Sequence, residues 1–397
     1  MLVGVAIWWP RQVRPTNVVL IVIDTLRRDH LELYGYERKT SSRMRNTVWH
    51  GAVFDRAYSH APWTAPSVGS LLTSLPVRDH GITNWEHPLS QGLLTLPEVL
   101  HSEGFQTHAI VSHTALGPAT GFAQGFGVYD VTALDLGRPA ETISSRHVTD
   151  QAMAALEGFE GPFFLMLHYF DPHNTYMPQE DYVFGTTNMD LYDGEIAYTD
   201  HYVGRFLKRL TELGHKDDTL VVMVADHGEE FGDHGGTRHS NTLYEELVRV
   251  PLVIRGPGIR RHRVGEVVRS IDLAPTILGL LGLPVPEEFT GRPLPLVGGH
   301  FEPDGDRPVF METRRFSDLR GVVLGDHKLI RNERSGAVRV FDLAADPQER
   351  SPLSGGEEEA RLLKLLDEHY AQSETIVPDR ELEPEELDAL RELGYIE

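Results

Sequence analysis

The apolar positions of the chain follow two alternating rhythms. Asn17–Asp24, NVVLIVID, is an unbroken aliphatic and β-branched run that ends in an acid. A run without polar interruption predicts a strand covered on both faces, as in a parallel sheet. The same grammar recurs in GPFFLMLHYFDPH, which leads into His168, Asp171 and His173, and in DDTLVVMVADHGEE, which leads into Asp226 and His227. Between these runs the apolar residues take helical spacing over Pro97–Glu103, Val148–Gly158 and Tyr192–Leu213, with Pro97 suited to a first helical position. Strands alternating with helices predict an α/β fold, a doubly wound sheet with helices on both faces. A further helical stretch, SIDLAPTILGLLGL, comes after RVPLVIRGPG, and a Pro/Gly-rich loop follows it. From about Pro308 the rhythm changes to short strands with tight turns, VFMETRR, RGVVLGDHKLIRN and GAVRVFDLA, which predict a small antiparallel sheet. The acidic end, PEELDALRELGYIE, reads as helical, and GGEEEA as a solvated surface segment. This divides the chain into a lead-in over 1–15, a main domain over 16–300, and a C-terminal subdomain with a helical tail over 301–397.

Charge and composition narrow the partners. The chain has 397 residues, 59 acids against 37 bases and a net charge of −22. Such a surplus excludes a general nucleic-acid binder, which must neutralise phosphates, but it suits cation binding. It still admits a phosphorylated or sulfated substrate, because a bound cation inverts the local field. The absence of cysteine removes disulfides, thiolate metal sites and cysteine nucleophiles together. Leu2–Trp9 is apolar but too short to span a bilayer, and no basic segment precedes it. The expectation is a surface-packed lead-in, no stable membrane span and a cytoplasmic location; nothing in the pattern sets an oligomeric state.

Ligands of open α/β sheets bind at the carboxyl ends of strands. Asp24, Asp226 and His227 stand at such ends, and two carboxylates with an imidazole make a mixed oxygen/nitrogen site for a divalent cation. Thr64 lies in SHAPWTAPSVGSLLTSLP, between Pro62 and Pro66 at the mouth of an apolar helix. One reading makes it a helix cap. The other makes it a nucleophile at the positive end of the helix dipole, beside the cation. A cation acidifies an adjacent hydroxyl, much as it lowers the pKa of bound water from about 15.7 to about 7. Threonine is a weak nucleophile without that help, so the two proposals stand together. Asp171, His173 and His239 form a second rank. His168 reads as a buried structural histidine, and His60, His80 and His234 as surface or supporting residues.

NVVLIVIDTLRRDHLELYGY, APWTAPSVGSLLTSL, LHYFDPHNTYMP, VVMVADHGEEFGDHGG, HSNTLYEELVRVPLVIRGPG and VFDLAADPQE resemble, in order, the successive blocks of the sulfatase family within the alkaline-phosphatase superfamily. The resemblance covers roughly residues 16 to 350. It implies an α/β/α sandwich around a mostly parallel sheet, with a small C-terminal antiparallel-sheet subdomain. It implies that Asp24, Asp226 and His227 bind metal, that Thr64 stands at the nucleophile position, and that His173 binds substrate, with His239 just ahead of the Thr-Leu-Tyr-Glu run. Departures from the family pattern are specific. Sulfatases convert a Cys or Ser in a Cys/Ser-x-Pro-x-Arg motif to formylglycine, whereas this chain has Thr64-Ala65-Pro66-Ser67-Val68. The Arg of the motif is Val68, the family lysines fall at about Ser112 and at Ser240, and the second acid of the first Asp-Asp pair is Thr25.

The reading that follows is a metal-dependent hydrolase of a small anionic ester, acting through Thr64 with Asp24, Asp226 and His227 on the cation (Mn, Zn, Mg or Ca). His173 and His239 stabilise charge or act as general acid. A phosphoester or phosphodiester is favoured, with a sulfuric ester as the alternative and an inactive metal- or anion-binding protein as the non-enzymatic one. One ion is favoured over two, the possible second site being Asp171, His173 and His239. The loops Arg27–Arg45, Asn84–Gly92 and Pro178–Leu191 are the candidates for substrate specificity.

Overall fold

Seven residues, Asn17–Ile23, form the central strand and are buried along their whole length. In a computed structural model, which describes residues 14–371 apart from 49, 137–142, 304 and 306, this strand lies inside an eight-stranded sheet. The apolar run Leu2–Trp9 and the acidic end of the chain lie outside the described residues. In chain order the strands are β1 (Asn17–Ile23), β2 (Ala52–Tyr58), β3 (Gln106–Ile110), β4 (Val128–Asp130), β5 (Phe163–Tyr169), β6 (Thr219–Ala225), β7 (Arg249–Arg255) and β8 (His262–Arg269). Their spatial order is β8-β2-β7-β6-β1-β5-β3-β4. Only β7 runs against its neighbours, β2 and β6; the other pairings are parallel. β5 and β6 flank β1 and are equally buried, which is why all three read as uninterrupted apolar runs. The consecutive strands β5 and β6 lie on opposite sides of β1, so a crevice opens at their carboxyl ends.

The helices begin where local chemistry starts them. Leu96–Ser102 carries a capping box between Thr95 and Glu98, with Pro97 in its first turn. Asn188–Glu212 has the same device between Thr187 and Asp190 and packs on Ser145–Gly158. The C-terminal strands β9 (Val309–Thr313), β10 (Leu319–Leu324), β11 (His327–Asn332) and β12 (Val338–Asp342) form an antiparallel sheet. One face packs on Leu362 and Leu366 of the helix Glu357–Ala371. The other shares a core with Tyr58, Leu243, Leu247, Val248 and Val267 of the main sheet region.

Polar bonds fix this docking. His60 is buried rather than at the surface, and its Nδ1 lies 2.6 Å from the carbonyl of Phe310. Thr313 Oγ1 donates to the Ser240 carbonyl at 2.7 Å. Lys328, fully buried, lies 3.0 Å from both Glu245 and Glu349. His80 is also buried, with Nε2 3.0 Å from Ser70 Oγ. Among the described residues, no helix is long and apolar enough to cross a membrane.

Candidate active site

β1 and β6 deliver the centre of the site. Asp24 follows β1, and its N–H donates to the Tyr169 carbonyl at 2.9 Å. The chain then turns sharply at Thr25, whose φ of 51° is uncommon for a β-branched residue. That conformation is held by Tyr192, whose hydroxyl donates to the Thr25 carbonyl at 2.7 Å. Asp226 and His227 follow β6. His227 Nδ1 lies 2.9 Å from the Gly228 carbonyl, and donation there leaves Nε2 with a bare lone pair. Gly228 is obligatory: a Cβ would lie 1.9 Å from the Glu246 carbonyl oxygen. His227 Nε2 sits 3.5 Å from Asp24 Oδ1 and 3.6 Å from Asp226 Oδ2.

Thr64 closes this group. It is the first residue of the helix Thr64–Thr73, every residue of which is buried. The N-cap is Trp63, which makes no side-chain cap bond, so Thr64 does not act as the cap. Its Oγ1 instead lies 3.3 Å from His227 Nε2. The helix start therefore presents backbone N–H groups and the dipole's positive end on the side where Thr64 stands.

The donor set fits a divalent cation. Neither oxygen of Asp24 nor Oδ2 of Asp226 meets hydrogen-bond geometry with any donor, although both residues are buried. Burial, then the nearby Asp226 and Glu229, push the Asp24 pKa well above the ordinary value. Burial likewise raises Asp226. Buried carboxylates facing a bare imidazole nitrogen at this range are expensive unless a cation sits among them. Asp24, Asp226 and His227 bring one ligand atom each within 4.8 Å of one another.

Around them lies a shell of imidazoles. His168 is fully buried, with Nε2 3.8 Å from Asp24 Oδ2 and neither ring nitrogen hydrogen-bonded. It borders the cluster and is not a mere packing histidine. His113 Nδ1 accepts from the Ala115 N–H at 2.8 Å, which places its proton on Nε2, 3.9 Å from Asp24 Oδ2. His173 and His239 stand at the more open edge, with ring centroids 4.9 Å apart, and His239 is 4.7 Å from His227. Glu229, fully buried, accepts from His239 Nδ1 at 3.0 Å and from the Tyr176 hydroxyl at 2.9 Å.

Asp171 corrects the expectation of a second metal site. Its Oδ1 accepts from the Ser144 N–H at 2.6 Å and the Ser144 hydroxyl at 2.9 Å, and its Oδ2 from the Ser145 N–H at 2.7 Å. It caps the helix Ser145–Gly158 from a distant part of the chain, where a carboxylate complements the dipole. Among the described residues Asp171, His173 and His239 do not form a ligand group.

The family model described as Sulfatase matches residues 16–283. The chain belongs to the sulfatase family. A second family model, N-sulphoglucosamine sulphohydrolase, C-terminal, matches residues 232–375. An arylsulfatase of Clostridium perfringens is 23% identical, over 86% of this chain and 91% of its own length. Two solved structures share the fold. One, determined in complex with its substrate D-glucosamine-2-N,6-O-disulfate, has a TM-score of 0.76 at 20% identity and covers 92% of this chain and 99% of its own. The other, the phosphonate monoester hydrolase of Agrobacterium radiobacter, has a TM-score of 0.76 at 19% identity, covering 90% and 95%. Sulfatases are hydrolases that depend on a divalent metal, and the Asp24–Asp226–His227 group gives this member a matching donor set.

Asp24→Asn tests that assignment without any substrate. The variant should bind Mn²⁺ at least about tenfold more weakly in a titration followed by calorimetry. In chelator it should melt at or above the temperature of the unaltered chain, because a buried, unpaired carboxylate is gone. Unchanged affinity for Mn²⁺ would remove Asp24 from the ligand set.

Proposed function

We propose that this sulfatase-family member hydrolyses a small anionic ester, with Thr64 attacking the central atom in line. The observation that carries the reading is the Thr64 hydroxyl, buried at a helix N-terminus and 3.3 Å from His227 within the carboxylate group. Asp24, Asp226 and His227 would hold one divalent cation, Thr64 lying beside it. Such a cation supplies Lewis acidity, easing loss of a hydroxyl proton and offsetting charge on the oxyanion. Thr64 Oγ forms the new bond while the ester oxygen departs on the opposite side. The N–H groups opening the helix Thr64–Thr73 stabilise the equatorial oxygens. His173 and His239, at the open edge, stabilise charge or protonate the departing oxygen. Glu229, hydrogen-bonded to His239 Nδ1, fixes the orientation of that ring and leaves Nε2 for the substrate. Water then cleaves the Thr64 ester.

The leading substrate class is a sulfuric ester. The family and the arylsulfatase of C. perfringens weigh toward it, against the phosphoester expected from the sequence. One observation favours a phosphoester as the second reading: Thr64 cannot yield the formylglycine aldehyde, so its covalent ester must be hydrolysed directly, which phosphoryl chemistry accommodates. The structural likeness to a phosphonate monoester hydrolase is consistent with either.

A panel of aryl sulfate, aryl phosphate, phosphodiester and phosphonate monoester, each with Mn²⁺, Zn²⁺, Mg²⁺ or Ca²⁺ and after chelation, decides between them. Fastest turnover of the aryl sulfate supports the leading reading. Turnover confined to phosphorus esters supports the second. A cation demonstrably bound with no turnover of any ester would overturn both.

A further inference from the structure

The sulfatase pattern that the chain resembles has an arginine or lysine at the positions that here carry Val68, about Ser112 and Ser240. Val68 is buried in the apolar core. Ser112 Oγ donates to the His168 carbonyl at 2.6 Å. Ser240 is buried with φ 77°, its N–H donating to the Pro62 carbonyl at 2.9 Å. None of the three can attract an anion as a lysine or arginine would.

A cation reaches Ser240 from another part of the chain. Arg315 follows β9, whose last residue, Thr313, donates to the Ser240 carbonyl. Arg315 Nη1 in turn donates to Ser240 Oγ at 3.2 Å. The guanidinium lies 4.6 Å from the ring centre of Trp85 and 5.5 Å from that of Trp63. Trp63 immediately precedes Thr64, and Trp85 stacks at 9° on His113, the imidazole beside Asp24. Ser240, which accepts from Arg315, directly follows His239 at the open edge of the site. Burial lowers Arg315 itself only to about 10, so it remains charged at neutral pH. Two tryptophans that sandwich or abut a guanidinium fix its plane and reduce the entropy lost on binding.

We infer that Arg315, carried in from the C-terminal sheet and seated on Ser240, Trp63 and Trp85, is the substrate-facing cation that binds the non-bridging oxygens of the anionic ester at Thr64. This rests on the proposed ester hydrolysis for its substrate, but not for its oxyanion. A guanidinium presents parallel N–H donors to two oxygens of a tetrahedral anion, which an ammonium does not. The C-terminal subdomain is thereby part of the binding site and not only a buttress.

The test uses the full chain loaded with Mn²⁺. Arg315→Met should weaken binding of inorganic phosphate and inorganic sulfate by about 10- to 100-fold in calorimetry. With whichever ester is turned over, it should raise KM by a similar factor and change kcat less. Arg315→Lys should recover part of both, since it keeps charge but loses the fork. In the unaltered chain, where folding is not at issue, inorganic phosphate should slow modification of Arg315 by an arginine-selective dicarbonyl reagent, read by peptide mass. Oxyanion affinity within twofold of the unaltered chain in Arg315→Met, or modification of Arg315 indifferent to phosphate, overturns the inference. Absence of turnover on every ester would count against the proposed reaction alone, because oxyanion binding and protection are read without it.

Discussion

Replacing Thr64 by alanine should lower kcat by at least about a thousandfold on whichever ester the chain hydrolyses. The side chain loses only a hydroxyl, in a helix whose backbone is held by its own bonds and by a buried surround, so the fold should survive. Asp24, Asp226 and His227 keep their places, so Mn²⁺ should still bind, with modest loss if the hydroxyl contributes to coordination. Thr64→Ser retains the attacking oxygen and should keep a measurable fraction of the rate. The pair separates the nucleophile from a positioning role. A structural threonine would lower stability in the alanine variant while leaving turnover near normal. Circular dichroism, a Mn²⁺ titration and kcat for both variants check this. A rate within tenfold of the unaltered chain in Thr64→Ala would end the nucleophile assignment.

Lys328→Met should destabilise the chain by about 3–5 kcal/mol. Lys328 is fully buried where the C-terminal sheet meets the main domain, 3.0 Å from Glu245 and 3.0 Å from Glu349. Burial pulls its pKa down, but the two carboxylates outweigh that and hold it above the ordinary lysine value. Burial also raises Glu349, to about 7, despite Lys328. Glu245 stays below its usual range because Lys328 and Arg249 overcome its burial. Its Oε2 also accepts from the Tyr58 hydroxyl at 2.9 Å, tying the group to β2. Removing the ammonium leaves two buried acids close together, with Arg249 and Tyr58 still paired to Glu245 but no cation on Glu349. Methionine keeps most of the volume, so packing loss is small and the missing charge accounts for the effect. Adding Glu349→Gln to the variant should recover a large part of the loss, which a packing defect would not allow. Urea unfolding of the single and double variants measures it. A loss under about 1 kcal/mol would show that the buried group is not what holds the subdomain.

How much of this was legible in advance depends on the kind of strand. β1, β5 and β6 are covered on both faces, so their sequences are continuous apolar runs and the acid or imidazole at each end stands out. The edge strands gave no comparable signal. β4 has three residues and β8 alternates weakly, with exposed positions at Arg263, Gly265 and Glu266. The antiparallel direction of β7 is set by pairing with β2 and β6, which its own residues do not encode. His113 and Glu229 carry no signal in the sequence, for different reasons. His113 stands in AIVSHTALG, where no neighbouring acid marks it and its ring faces Asp24 only through the fold. Glu229 lies in ADHGEE, and only the fold shows that its carboxylate holds His239 while its neighbour Glu230 binds the N–H groups of His234 and Gly236.

The sequence alone determined that two carboxylates and an imidazole would gather at one edge of a parallel sheet, because buried strands of fixed direction put their carboxyl ends on the same side. It also determined that a threonine would open a buried helix there. The tertiary structure decided which polar groups face the cluster. Side chains past a strand end are aimed by the loop that follows, and loops take their shape from distant contacts. Asp171 turns to a helix start because unsatisfied N–H groups of Ser144 and Ser145 draw its carboxylate. Arg315 arrives beside Trp63 and Trp85 because β9 bonds to Ser240 across 73 residues of chain.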